Sequence, residues 1–136
     1  MPSVLKFLRD RILPRDSSGA LFAAGVKAWK QYEETRQPRY LEEAVRNHQA
    51  ALDIRVSGHP RRSKSLFYTA MVLWAHCQGA VIKESPSTVI AYYDEALILL
   101  PDKPGKLGRR AAIYTNLGMV HSFAKEKRIQ IGRAHV

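Results

Sequence analysis

The sequence predicts an all-α fold of antiparallel helical hairpins stacked side by side. Three observations lead there. Apolar residues recur at the i, i+3, i+4, i+7 spacing in five segments, while the alternation expected of strands is weak. Short polar links bounded by Pro and Gly join those segments, as in antiparallel helix pairs. Residues of the first pair of segments also recur 45 positions later in the second pair.

The first predicted helix is "SSGALFAAGVKAWKQYEE", with Leu21, Ala24, Gly25, Ala28 and Tyr32 on one face. The second is "PRYLEEAVRNHQAALDIR", where Leu41, Ala44, Val45, His48 and Leu52 share a face. Pro38 is suited to its first turn, and Glu42 and Glu43 complement a positive helix N-terminus. "SGHP" should stop it, with Gly58 in a left-handed cap before Pro60. The third, "SKSLFYTAMVLWAHC", turns Leu66, Thr69, Ala70, Leu73 and Cys77 inward. Ser85 or Ser87 can cap the fourth, "STVIAYYDEALILL", whose inward residues are Val89, Tyr93, Ala96, Leu97 and Leu100. The fifth, "LGRRAAIYTNLGMVHSFAKEK", places Tyr114, Leu117, Gly118 and His121 on one face.

The chain of 136 residues is at most one ordinary domain, and 46% hydrophobic content excludes a disordered class. Its formal charge of +10 favours acidic partners, nucleic acid or anionic surfaces and says nothing about fold. Cys77 is the single cysteine, so no intrachain disulfide can form, which suits a reducing compartment. Lys6, Arg9, Asp10 and Arg11 interrupt the N-terminal apolar run, which argues against a signal peptide. A mitochondrial presequence is a minor alternative for that basic, amphipathic segment. No run of about 18 apolar residues offers a membrane span. A cytoplasmic location is expected.

The repeat is read from "ALFAAGVKAW" against "SLFYTAMVLW". Leu21 pairs with Leu66, Phe22 with Phe67, Gly25 with Ala70 and Trp29 with Trp74. Ala51 and Ala96, and Leu52 and Leu97, keep the same offset of 45. The fifth helix opens a third copy, with Gly118 matching Ala70 after 48 residues. Small residues at these positions imply close helix approach, since a helical glycine costs about 1 kcal/mol relative to alanine. Gly25, Ala70 and Gly118 are expected to face Ala44, Ala51 and Ala96.

On these residues the chain resembles the tetratricopeptide repeats. "NLGMV", with Leu117 and Gly118, looks like the family's first helix, and "YYDEALILLP", with Tyr93, Ala96 and Pro101, like its second. The usual period is about 34 residues; the longer links here look most like fungal long-period repeats, often linked to a caspase-like peptidase domain. The resemblance covers roughly residues 18 to 127. It implies a right-handed α-solenoid of about two and a half repeats. The expected organisation is an amphipathic segment 1–17, belonging to a preceding repeat, then repeats over 18–62, 63–105 and 106–130. Residues 131–136, "IGRAHV", resemble the translation of a sequencing adapter and are expected to be a non-native tail.

The family's first helices line a groove for a partner peptide. The stripe of those helices that turns away from the second helices comprises Phe22, Val26, Trp29, Lys30, Phe67, Met71, Trp74 and Met119, with Thr115 and Ser122. These are the candidate partner-binding residues. Aromatic stripes at helical spacing more often belong to core, so packing between successive repeats is the weightier alternative. A second candidate is a basic edge formed by Arg61, Arg62 and Lys64 with Lys106, Arg109 and Arg110, joined by Arg55 and Lys103, for which a merely solvated edge is the weightier reading than an acidic-partner or nucleic-acid site.

No catalytic or metal motif emerges. His76 and Cys77 are neighbours that point about 100° apart on a helix. Cys77 reads as a core residue, and the histidines lack metal-ligand spacing. The expectation is a non-enzymatic scaffold without cofactor or metal, binding a protein or peptide. Alternatives are a regulatory repeat region of a larger caspase-like enzyme and, more weakly, a nucleic-acid-binding repeat. An unpaired fifth helix should leave its Leu117 and Val120 side partly exposed and favour self-association.

Overall fold

The computed structural model describes residues 16–78, 86–101 and 103–134, with side chains up to residue 126. Residues 1–15 of the amphipathic segment, the Ser85 cap and the last two residues of the tail lie outside the described set. The described residues form five α-helices: α1 (Ser18–Thr35), α2 (Pro38–Ile54), α3 (Arg62–Cys77), α4 (Pro86–Leu99) and α5 (Leu107–Ala134). A 3-10 turn, Pro104–Lys106, precedes α5. Each helix packs on the next in sequence, as expected for repeat-like helical packing.

Local chemistry sets the boundaries. Arg36 closes α1 in the left-handed conformation, φ 57°, and its N–H bonds the Tyr32 carbonyl at 2.7 Å. The guanidinium of Arg36 stacks on the Tyr32 ring at 5.5 Å, a local compensation for a conformation that costs about 1–2 kcal/mol without glycine. Pro38 then opens α2, where its missing N–H has no partner to lose. Gly58 has φ +90°, yet it does not cap α2. That helix ends at Ile54, and Gly58 supplies the left-handed step of the following turn.

Two apolar clusters hold the stack. One joins Leu52, Leu66, Ala70, Leu73, Trp74 and Cys77 to Val89, Tyr93, Ala96, Ile113, Leu117 and Val120. The other joins Ala28, Leu41, Ala44 and Val72, with Trp29, Tyr32 and Met71 packed against it. The 45-residue register is visible in the contacts. Phe22 meets His48 edge-on at 5.1 Å, and Phe67 meets Tyr93 edge-on at 6.1 Å. His48 stacks on Tyr68, and Tyr93 accepts a hydrogen bond from Asn116 at 3.0 Å.

The fifth helix departs from expectation. Its buried residues are Ile113, Leu117 and Val120, whereas Tyr114 is 59% exposed and Gly118 and His121 are also exposed. The Leu117 and Val120 side is therefore covered, not open. The reason is topological: α5 packs on α4 and, through Trp74 and Phe67, on α3, so the stripe facing those helices is the buried one. Among the described residues, no helix is long and apolar enough to cross a membrane.

Candidate functional site

The small-residue positions turn out to serve different ends. A Cβ added to Gly25 would lie 2.7 Å from the His48 imidazole, so glycine is what admits that ring. The nearest neighbour of Gly25 on α2 is thus His48, not an alanine. The same construction at Gly118 meets nothing within 4 Å, so Gly118 packs against no second helix here.

The aromatic stripe divides. Trp74 is 8% exposed and meets Phe123 of α5 edge-on at 5.2 Å, so it packs between first helices of successive hairpins. Trp29 is half-buried against Tyr32, at 5.6 Å, in the cluster that includes Val72 and Met71 of α3. Val26 and Met71 are half-buried, Lys30 is exposed, and Met119 is 48% exposed. Thr115 and Ser122 are also exposed. Phe22 and Phe67 are half-buried rings near the starts of α1 and α3.

Those two rings carry the basic residues. The Lys64 ammonium lies 5.0 Å from the Phe22 centroid, and the Arg109 guanidinium lies 5.6 Å from that of Phe67. Such a cation over a ring is attracted by its quadrupole. Burial lowers the pKa of Lys64, and the charges of Arg109, Arg61, Arg55 and Lys106 lower it further. The two basic links separated in sequence therefore converge on one amine. No carboxylate contributes to the Lys64 shift. The N-termini of α3 and α5 open beside this cluster and add positive potential.

Two arginines of the expected edge are committed elsewhere. Arg55 is 1% exposed; its Nε donates to Ser18 Oγ and its Nη1 to Ser65 Oγ, both at 3.0 Å. Its guanidinium also covers the other approach to Phe22, at 4.9 Å. Burial lowers its pKa, with the Arg61 charge second, while Asp16 opposes. Arg62 pairs with Glu95 through Nε and Nη2, the latter at 3.0 Å, and donates through Nη1 to the Arg55 carbonyl at 2.9 Å. Hydrogen bonding to Glu95 raises its pKa. Arg61, Lys64, Lys106 and Arg109 remain as the convergent set, with Arg110 half-buried nearby in sequence.

Sequence reasoning did not single out Asp16, Ser18, His59 or Ser65. Asp16 accepts from the Ser18 N–H at 2.9 Å and meets His59 Nε2 at 3.0 Å, tying the start of α1 to the α2–α3 link. Its carboxyl is held far below the usual range by Ser18 first and His59 second. The Asp-Ser-Ser run before the first apolar turn was the one available signal. A shallow groove of about 340 Å³ lies beside the C-terminal end of α2, lined by Gln49, Leu52, Asp53, Val56, Arg62 and Tyr92. Among the described residues, no three His, Cys, Asp or Glu side chains are placed to hold one metal ion.

Comparisons with protein-family models, with curated proteins and with solved structures find no match. The repeat reading accordingly rests on the register of residues and the packing of the helices.

Proposed function

We propose that this chain is a tetratricopeptide-like piece of a right-handed α-solenoid that acts as a scaffold, without chemistry of its own, for an acidic segment of a partner protein. The placement of Lys64 over the half-buried ring of Phe22 and of Arg109 over that of Phe67, with the charges of Arg61 and Lys106 also acting on Lys64, carries this reading. An acidic peptide would satisfy the uncompensated cations while its apolar atoms lie on the rings. Such charge complementarity contributes to specificity and association rate as well as affinity. Trp29 stays a candidate flank of that surface, whereas buried Trp74 packs on Phe123 and is not exposed to a partner.

Fluorescence anisotropy with a labelled Asp/Glu-rich peptide tests the proposal. Lys64→Glu combined with Arg109→Glu should weaken capture by about tenfold or more, a loss of at least roughly 1.4 kcal/mol, with the helical spectrum unchanged. Unchanged affinity in that variant would remove the site. Stronger binding of single-stranded RNA, with a steep loss on adding salt, would favour the nucleic-acid alternative.

A further inference from the structure

Three basic groups surround the ring of Phe22. The Lys64 ammonium lies 5.0 Å from its centroid, the Arg55 guanidinium 4.9 Å and the His48 ring 5.1 Å. His48 is fully buried, and neither ring nitrogen has a hydrogen-bond partner among the described residues. Gly25 and Phe22 of α1 meet it on one side, and Tyr68 of α3 stacks on it at 5.6 Å. The charge that acts on it is that of Arg55, Tyr68 is the titratable ring against it, and no carboxylate contributes. A proton on His48 would therefore add a third positive charge around one ring, with no acceptor for its N–H groups. A buried charge so placed is strongly disfavoured.

The repeat provides an internal comparison. The residue 45 positions after His48 is Tyr93, and Ala70 stands where Gly25 does. Tyr93 is as buried as His48 and meets Phe67 edge-on at 6.1 Å, the counterpart of the Phe22 contact. Its hydroxyl accepts from Asn116 at 3.0 Å, and burial pushes its pKa up to about 12. The second hairpin thus makes the same ring contact with a group that is hydrogen-bonded and stays neutral in acid. Packing alone does not call for histidine in the first. What His48 adds is a site for a proton, in one hairpin and not the other.

We infer that His48 is an acid-operated latch on the first hairpin: neutral, it closes α1 on α2 and leaves Phe22 beneath Lys64; protonated, it parts α1 from α2 locally and takes Phe22 from Lys64. Opening lets water reach the imidazolium. With a closed-state value of about 4 against the ordinary 6.5, opening is about twentyfold more favoured at pH 5 than at pH 7. The consequence for a partner, release of an acidic segment in acid, rests on the Lys64 surface proposed above.

The two tryptophans report on the two hairpins separately. Trp29 packs in the cluster of α1 and α2, and Trp74 packs against Phe123 of α5. Their indole N–H signals can be followed by NMR in the whole chain from pH 7 to 4, assigned with Trp29→Phe. The Trp29 signal should report opening at a higher pH than the Trp74 signal, and His48→Phe should abolish that lead. Should His48→Phe not fold, His48→Tyr with Gly25→Ala copies the residues of the second hairpin and serves the same purpose. Coincident transitions overturn the latch, since acid would then act on the whole fold at once. A Trp29 signal unchanged down to pH 4 overturns it too, as does a lead that survives in the variant. Excess Asp/Glu-rich peptide should shift the Trp29 transition to lower pH, because binding to the closed form opposes opening. A peptide that binds at pH 7 yet leaves the transition in place overturns the coupling to Lys64. A peptide that does not bind at pH 7 removes the proposed partner site, while the order of the two transitions still decides the latch.

Discussion

Gly25 and His48 show how one missing side chain organises a hairpin. The imidazole is buried beside Gly25, edge-on to Phe22 and stacked on Tyr68. Gly25→Ala gains helix propensity of about 1 kcal/mol but forces overpacking that costs typically 1–3 kcal/mol. A net destabilisation is expected in denaturant titration, and a rise in melting temperature would refute the packing account. Arg55 is a second such point. Its stem and two serine bonds tie α1 to α3, so Arg55→Ala should cost about 2–4 kcal/mol through lost packing and orphaned hydroxyls. The repeat offers an apolar alternative, because Leu100 and Ile113 stand in register with Arg55 and Ser65 and are both buried. Replacing a buried ion by packed apolar groups is often neutral, so Arg55→Leu with Ser65→Ile should lose less than Arg55→Ala alone in the same titration. None of these residues declared its role in the one-dimensional pattern. His48 was legible as inward, but its partner Gly25 emerged only from the approach of two helices.

At the scale of elements, α5 differs from α1 and α3 in having one packed stripe where they have more. Its Ile113, Leu117 and Val120 are buried, while Tyr114, Gly118 and Met119 are open. Gly118 then behaves as an exposed helical glycine, the reverse of Gly25. Gly118→Ala should stabilise the chain by about 0.5–1 kcal/mol, read as a higher denaturation midpoint. A loss of stability would instead mean that a helix already covers the stripe in solution. Helix existence and the starts at Pro38 and near Pro86 were legible, because proline and apolar spacing act locally. The end of α5 was not: it runs to Ala134, beyond the predicted Lys127. The choice of its buried face also escaped the pattern, since two adjacent stripes of α5 both carry apolar residues.

For the whole molecule, acid should be destabilising in two windows. His48 is buried without a hydrogen-bond partner for either ring nitrogen, and burial lowers its pKa to about 4, with the Arg55 charge adding to the effect. The unfolded chain therefore binds a proton at this residue that the folded chain does not, from about pH 6.5 down to about 4. Stability should fall through that interval, by roughly 2–3 kcal/mol for so large a shift. Below it, the depressed carboxyl of Asp16 continues the same trend, as its bonds to Ser18 and His59 are lost on protonation. Thermal melts across pH check this: His48→Phe should flatten the upper window and leave the lower one, and an unaltered upper window would acquit His48. The net charge of +10, which rises in acid, adds self-repulsion in both.

The sequence by itself determined the helical class, the hairpin lengths and the repeat register, because spacing, proline and small residues act through neighbours along the chain. It also marked the basic links and the aromatic stripe as unusual. Only the tertiary structure decided what those features do. It buried Arg55 and Trp74, paired Arg62 with Glu95, and gathered Lys64 and Arg109 over Phe22 and Phe67. It also left Gly118 open while closing Gly25 around a histidine. The physical reason is that a side chain's burial and partners depend on which helix stands opposite, and spacing within one helix carries no record of its neighbour.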